Sequence, residues 1–181
     1  MTNPQWQDDE WMRRFRAEKT QEQAFRDLIR HFQPRLYAQV RRICPSHADC
    51  DDILQETFLK AWIHLKDFRG EAKLSTWLYK ITYNETLNYL SKAKNRNIAF
   101  SVIPDLSGDS GFTSEEGIEL TQKLEQAIEL LPPKQKLIFC YRYFEEIPYA
   151  EIALIMGVTE GSLKASYHHA AQKIEAYLLN G

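Results

Sequence analysis

The sequence lacks long apolar runs, and no stretch approaches the roughly 20 consecutive apolar residues that a membrane-spanning helix needs. Its first residues, MTNPQWQDDEWMRRF, also lack the apolar centre of a signal peptide. Cysteine is scarce, and three cysteines are too few for a disulfide framework. We therefore expect a cytoplasmic protein with reduced thiols and no direct membrane insertion.

Glycine is scarce too, at seven residues in 181, and the alternating β-branched runs typical of strands are nearly absent. Apolar residues recur instead at steps of three and four, which is the period of a helix. This pattern extends over residues 23–43, 53–65, 76–96 and 120–131. The sequence therefore predicts an all-α fold.

Charge is almost balanced over the whole chain, at a net −2, but it is unevenly distributed. Residues 1–96 carry 17 cationic and 13 acidic side chains. Residues 97–117 carry four acidic side chains and no cationic ones, and residues 118–181 carry six cationic and eight acidic side chains. The middle segment is rich in Ser and Gly, has no helical period, and is too long for an ordinary loop. We predict two small helical domains, 1–96 and 118–181, joined by a flexible acidic linker, 97–117. For residues 1–20, a frayed extension and a short extra helix both remain open.

Several residues mark candidate helix boundaries in the first domain. Asp51 or Asp52 can cap the helix over 53–65, and Ser75 or Thr76 can cap the helix over 76–96. Pro34 predicts a kink or a boundary in the helical pattern around it. The stretch from Phe68 to Ser75 contains Gly70 and breaks the helical period, so we predict a loop there.

Residues 149–173 have the order of a helix-turn-helix: a short helix, a turn at Gly157, and a longer helix. Thr159 can cap the second helix, and Ala153 is small where two helices must cross closely. The alternative is a pair of helices that only pack together. DNA binding is the favoured interpretation.

The outward positions of the second helix would contact DNA. They are Thr159, Glu160, Ser162, Lys164, Ala165, His168 and His169. The second helix and its cap have the sequence TEGSLKASYHHAAQKI, which contains no Arg. Few counterions would therefore be released when this helix binds DNA. We therefore expect weak intrinsic affinity for DNA.

Two other clusters have simpler explanations than a catalytic or metal site. Cys44, His47 and Cys50 lack a fourth ligand nearby and do not have a standard zinc spacing, so we interpret them as chance neighbours in a turn. Asp52 and Glu56 share one helical face, and no catalytic base accompanies them. A solvated or protein-docking face explains the carboxylates better than an enzyme does, and we expect no cofactor.

The helix over 76–96 interleaves aromatic residues with cations, a combination that suits single-stranded nucleic acid because bases stack and phosphates pair. The loop before it can form a pocket for an unstacked base. The alternative is structural, since Trp77 also fits a core position.

Three stretches together resemble one family: DDILQETFLKAW, FRGEAKLSTWLYKITYNETLNYL and LPPKQKLIFCYRYFEEIPYAEIALIMGVTEGSLKA. They look like the two sequence blocks of extracytoplasmic-function (ECF) sigma factors, the small two-domain transcription initiation factors of bacteria. The resemblance covers roughly residues 22–96 and 120–178, in the family's order. In the last helix, where many members carry several arginines, this chain keeps only Lys164 among the usual cations.

The resemblance implies three contact surfaces. Docking on core RNA polymerase would use Asp51, Asp52, Gln55 and Glu56. Recognition and melting of the −10 promoter element would use Phe68, Arg69, Lys73, Ser75, Thr76, Lys80, Tyr83 and Asn84. Reading of the −35 element would use the seven outward residues of the second helix named above.

The resemblance also implies a non-catalytic protein that acts on double-stranded and melted promoter DNA and is controlled by an anti-sigma protein. The acidic linker would run through the polymerase near its RNA exit path. Two other function classes remain as alternatives. The second hypothesis is a polymerase-independent helix-turn-helix regulator, and the third is a metal-dependent enzyme.

Overall fold

A computed structural model describes residues 8–44, 46–94 and 115–180, which form eight α-helices and one short 3-10 turn, Leu65–Asp67, with no strand among them. The predicted all-α fold is confirmed. In chain order the helices are α1 (Asp8–Arg16), α2 (Gln21–Arg41), α3 (His47–His64), α4 (Leu74–Lys94), α5 (Glu115–Glu129), α6 (Pro133–Tyr143), α7 (Tyr149–Met156) and α8 (Glu160–Asn180).

Helices α1–α4 form an N-terminal part in which α2, α3 and α4 pack on one another around Leu28, Leu36 and Leu78, all fully buried. The first helix, α1, closes one side of this bundle. Its Trp11 donates its indole N–H to the Ala24 carbonyl at 2.7 Å, and its Phe15 is fully buried. Of the two interpretations left open for residues 1–20, the short extra helix is therefore the one observed over 8–16.

Helices α5–α8 form a C-terminal part. Their apolar residues Ile128, Phe139 and Ile174 bury against one another between α5, α6 and α8. Between α7 and α8, Gly157 adopts φ +66°, a left-handed conformation that glycine accepts without the strain of a Cβ. The Thr159 hydroxyl oxygen accepts the Ser162 N–H at 3.3 Å and so caps α8. The predicted helix-turn-helix, its glycine turn and its threonine cap are confirmed.

The two parts also pack on each other, and the sequence did not predict this contact. Helix α7 lies against α4, and one apolar cluster continues from the N-terminal bundle into Tyr141, Ile152 and Ile155, which are almost completely buried. We call this interface the domain contact. Both faces of the short helix α7 are thus used, one toward α8 and one toward α4.

The predicted starts of α3 and α4 were wrong. Helix α3 begins four residues before Asp51, because the Ser46 hydroxyl accepts the Asp49 N–H at 3.3 Å and caps it there. Helix α4 begins at Leu74, whose N–H is accepted by the Asp8 carboxylate at 2.8 Å. Ser75 and Thr76 therefore lie inside a helix. Their expected capping role fails because a side chain 66 positions away satisfies the first N–H group.

Two other boundaries also differ from the prediction. Helix α2 continues through Pro34, so this proline is not a helix boundary. Helix α5 begins at Glu115, so the last three residues of the predicted linker 97–117 are helical, consistent with the preference for acidic residues at a helix start. Residues 97–114 of that linker lie outside the described residues.

Candidate functional site

An apolar groove runs between α2 and α3 on the outside of the N-terminal part. We call it the docking groove. It has a volume of about 520 Å³ and includes the apolar side chains of Phe25, Ile29, Leu54, Phe58, Leu59 and Trp62. Leu59 is 50% exposed, and on the following turn Ile63 is 62% exposed. Exposed apolar side chains beside a groove are typical of a surface that another protein covers.

The predicted polymerase-docking residues lie on this side of the molecule. Asp51 and Gln55 line the docking groove, and Asp52 and Glu56 are exposed on the same helix. The helix start at His47 therefore places all four within α3 on an exposed face. The groove combines an apolar floor with an acidic edge, which suits a partner that presents apolar and cationic side chains together.

A second cavity lies where the loop after α3 meets the start of α4. We call it the base pocket. It has a volume of about 480 Å³ and is lined by Phe68, Trp77, Arg69, Lys80 and the exposed Leu154 of α7, among others. The Phe68 and Trp77 rings lie 5.4 Å apart at an angle of 55°. Aromatic faces beside cations can hold an unstacked base and its phosphate.

The loop that forms the base pocket is held from behind by α1. Asp8 caps α4 through the Leu74 N–H, and the Arg16 guanidinium donates to the Phe68 carbonyl at 3.4 Å. Gly70, at φ +75°, allows the reversal between these two anchor points. Helix α1 thus fixes both ends of the loop that precedes α4.

The predicted −10 residues differ in their accessibility. Arg69, Lys73, Lys80 and Asn84 are exposed and Ser75 is partly exposed, whereas Phe68, Thr76 and Tyr83 are buried. The base pocket is lined by four of the eight, Phe68, Arg69, Thr76 and Lys80, whereas Lys73 and Ser75 line a separate cavity beside Glu151, and Tyr83 and Asn84 lie further along α4. Thr76 faces α7 rather than solvent, because its hydroxyl donates to the Glu151 carboxylate at 2.9 Å.

All seven predicted −35 residues are exposed at the start of α8. The Lys164 ammonium lies 3.7 Å from the Glu160 carboxylate and 5.8 Å from the centre of the Tyr149 ring. The adjacent rings of His168 and His169 lie 6.1 Å apart. The helix therefore presents a polar face that carries one Lys and two His side chains.

The cluster of Cys44, His47 and Cys50 is divided between core and surface roles. The thiols of Cys44 and Cys50 are fully buried, and hydrogen bonding to Cys44 together with burial raises the pKa of Cys50. His47 is hydrogen-bonded through Nδ1 to the Tyr37 hydroxyl. Across the described residues, no group of three His, Cys, Asp or Glu side chains is arranged to hold a metal ion.

The remaining thiol, Cys140, lies in the C-terminal core, and burial raises its pKa to about 11. All three cysteines are free. Among the described helices, none has the combination of length and apolar character needed to cross a bilayer.

Sequence reasoning missed three residues that the structure places at the site: Glu151 and Leu154 on α7, and Asp8 on α1. One signal was available for α7, since residues 152–156 are five successive apolar residues. A helix that buries only one face needs about three apolar residues in seven, so this run indicates a second buried face. No local signal identifies Asp8, because its partner is distant in sequence.

Comparisons with known proteins agree with this geometry. The Sigma-70 region 2 family matches residues 28–96, which include the docking groove except Phe25 and the base pocket except Leu154. The Sigma-70 region 4 family matches residues 121–174, which include the helix-turn-helix. The ECF RNA polymerase sigma-E factor of Escherichia coli K12 is 31% identical over 171 residues, covering 88% of this chain and 89% of the relative. The ECF sigma factor SigW of Bacillus subtilis is 25% identical over 176 residues, covering 90% and 92%.

Two solved structures share the fold at 19% identity. The sigma factor RpoE of Bartonella quintana, in complex with the anti-sigma factor NepR, has a TM-score of 0.71 and covers 86% of this chain and 97% of its own. CnrH, in complex with the cytosolic domain of CnrY, has a TM-score of 0.67 and covers 94% and 96%. The sequence relatives, the two matched regions and their order along the chain place this protein in the family of ECF RNA polymerase sigma factors.

Proposed function

We propose that this chain binds core RNA polymerase through the docking groove and directs promoter-specific transcription initiation without catalysing a reaction itself. The observation that carries the proposal is the division of the N-terminal part into two unlike surfaces. One is an apolar groove with an acidic edge, suited to a protein. The other is a pocket with two aromatic rings, whose wall carries the cations Arg69 and Lys80 and the carboxylates Asp67 and Glu71, and whose rings suit an unstacked base. A promoter-opening subunit needs both.

The finer roles follow from the position of each surface. The base pocket, with Arg69 and Lys80 at its edge, would take a base from the melted −10 strand. The exposed start of α8, with Lys164, would contact the −35 element in the major groove. Because α8 offers few cations, the polymerase supplies most of the affinity and α8 biases the position.

The third partner in this proposal is an anti-sigma protein. Support comes from the two solved structures with this fold, since RpoE is in complex with the anti-sigma factor NepR and CnrH is in complex with the cytosolic domain of CnrY, and from the exposed apolar side chains of α3. The proposed place of action is the cytoplasm, where polymerase and DNA meet. A polymerase-independent regulator is the competing function, and nothing in the geometry favours it.

The decisive test is transcription from sheared genomic DNA of the source bacterium by its core polymerase, with and without this chain. We expect a new set of RNA 5′ ends that share two upstream sequence elements. The control is a Leu59→Asp variant, which carries a charge in the docking groove. An unchanged set of 5′ ends, together with specific DNA binding by the chain alone, would instead support the independent regulator.

A further inference from the structure

The domain contact brings an acidic helix start onto the surface proposed for melted DNA. Glu151, in the first turn of α7, binds two groups of the N-terminal part. One carboxylate oxygen accepts from the Lys73 ammonium at 2.5 Å, and the other accepts from the Thr76 hydroxyl at 2.9 Å. The Glu151 side chain is 22% exposed and Thr76 is almost fully buried, whereas Lys73 is 68% exposed, so the hydroxyl contact is sheltered and the ion pair lies at the solvent edge of the interface.

A second carboxylate strengthens the same interface. Glu145, just before α7, pairs with the Arg42 guanidinium at 3.1 Å and accepts from the Tyr79 hydroxyl at 3.3 Å. The Arg42 and Glu145 side chains are only 13% and 14% exposed. Burial, together with the nearby Glu145 carboxylate, raises the pKa of Tyr79, so the phenol remains a donor at neutral pH.

Apolar and aromatic contacts complete the interface. Ile152 and Ile155 of α7 are almost fully buried, and the Tyr141 ring lies edge-on to Tyr79 at 6.0 Å. Leu154, on the same helix, is 54% exposed and forms part of the wall of the base pocket. Helix α7 therefore contacts the base pocket through Leu154 and the Lys73 ammonium through Glu151.

A carboxylate and a phosphodiester each present two anionic oxygens, so the same pair of hydrogen-bond donors can bind either group. An ammonium and a hydroxyl that hold the two oxygens of Glu151 offer the same charge and hydrogen bonds to two oxygens of a phosphate. Lys73 and Thr76 are both among the residues predicted to contact the −10 strand. The single O–H of Thr76 cannot donate to Glu151 and to a phosphate at once, and the Lys73 ammonium would have to share its charge between them.

We propose that α7 is a built-in competitor of the melted −10 strand: Glu151 occupies the phosphate-binding groups Lys73 and Thr76, and single-stranded DNA binds only after the domain contact opens. This proposal rests on the proposed function, because it assigns a regulator to the same surface. The helix that blocks the −10 surface is also the first helix of the helix-turn-helix. Opening would free the −10 surface, whereas the predicted −35 residues of α8 are already exposed in the closed arrangement.

The competition follows the arithmetic of a two-state equilibrium. The apparent dissociation constant for DNA equals the intrinsic constant divided by the open fraction of the chain. Any change that weakens the Glu151 contacts raises this fraction, and DNA itself must shift the chain toward the open state.

The experiment measures opening and DNA binding in one sample of the full chain. Spin labels on His64→Cys and Gln172→Cys, exposed positions on α3 and α8, report the distance between the two parts, while the three native thiols are buried. The DNA probe is a degenerate single-stranded 15-nucleotide pool at low salt. We expect one narrow distance in the free chain, and its loss in proportion to bound DNA.

Charge variants test the named contact. Glu151→Lys should reduce the ratio of closed to open chains about three- to tenfold, because it replaces attraction to Lys73 by repulsion. The double variant Lys73→Glu/Glu151→Lys should restore the narrow distance. Glu151→Gln, which keeps the shape, should act in the same direction more weakly. Glu175→Lys, an equal charge change at an exposed site on α8, should leave the distance unchanged.

The outcomes separate this proposal from the function on which it rests. DNA that binds while the narrow distance persists would overturn the competition and leave the proposed function standing. A narrow distance unaffected by Glu151→Lys would overturn the role of Glu151. A chain that neither binds the DNA pool nor directs transcription by core polymerase would overturn both.

Discussion

The two surfaces of the N-terminal part differ in what covers them. The docking groove between α2 and α3 is open: Leu59 is half exposed, and Ile63 is more than half exposed. The start of α4, on another side of the same bundle, is covered by α7, and its Thr76 is almost fully buried. One bundle therefore leaves its proposed protein-binding surface open, while Lys73 and Thr76 of its proposed DNA-binding surface are held by Glu151 of α7.

This difference indicates an order of events. Under our proposal, a partner protein would dock on α3 without disturbing the domain contact, whereas single-stranded DNA would have to displace α7 first. The proposal therefore predicts that polymerase binds before DNA. The two surfaces can also be tested separately, because substitutions in the docking groove should change polymerase binding and substitutions in the domain contact should change the spin-label distance.

The largest effect is expected in the docking groove. Leu59→Asp should weaken binding to core polymerase by about 10- to 100-fold, because it removes apolar area and places a carboxylate where water is excluded. The measurement is an equilibrium titration of labelled chain with core enzyme. Leu179→Asp, at an exposed leucine of α8, is the matched control. Wild-type affinity in Leu59→Asp would remove the groove from the polymerase interface.

The domain contact can be weakened from its buried side. The Tyr141 hydroxyl accepts the Gln39 amide N–H at 2.5 Å, in an environment where the Gln39 carbonyl oxygen has no partner. Tyr141→Phe should destabilise the closed arrangement by about 1–1.5 kcal/mol, because the amide loses its only hydrogen bond there. The spin-label distance should broaden while binding to core polymerase stays at the wild-type value. An unaltered distance would show that this buried bond does not hold the parts together.

The start of α4, which α7 covers, is also stabilised by Asp8 of α1. Asp8→Ala removes the side chain that caps α4 and should lower the free energy of unfolding by about 0.5–1 kcal/mol. Amide hydrogen exchange at Leu74 should accelerate more than exchange in the centre of α4. Asp8→Asn should recover most of the loss, since asparagine also caps helices. Asp9→Ala, at the exposed neighbouring acid, serves as the control.

The smallest effect is expected on α8. Lys164→Ala should reduce the salt dependence of promoter binding by the polymerase complex by about one unit of slope, with a change in affinity of a few-fold. The measurement is the dissociation constant of the complex at a series of salt concentrations. Its Glu160 partner at 3.7 Å already competes for the ammonium, which keeps the effect small. An unchanged slope would place Lys164 away from phosphate.

Several local features were predictable because they depend on neighbours in sequence. Gly157 before Thr159 determines both the left-handed turn and the cap of α8. Pro133 is the first residue of α6, a position where its missing N–H is not needed. The positions of the seven outward residues of α8 follow from the helical period alone. The predicted roles of the site residues remain predictions.

Other features were beyond local inference. Helix α3 starts at His47 because the Ser46 hydroxyl accepts a hydrogen bond from an N–H group of the first turn. From the sequence alone, Ser46 and Asp51 are equally acceptable as the capping residue. The start of α4 is determined by Asp8, which approaches it only when α1 packs on the bundle. Trp77 is partly buried and packs against the core, as the structural interpretation predicted; it also lines the base pocket, and a role there remains a prediction.

The sequence by itself determined the helices, the helix-turn-helix and the family, because helical period, capping and turn residues act over a few positions. Only the tertiary structure decided which surfaces remain open. The pairing of Glu151 with Lys73 joins residues 78 positions apart, and no local pattern specifies it. It exists because α7 has a second apolar face to bury and carries its carboxylate to α4 when that face packs.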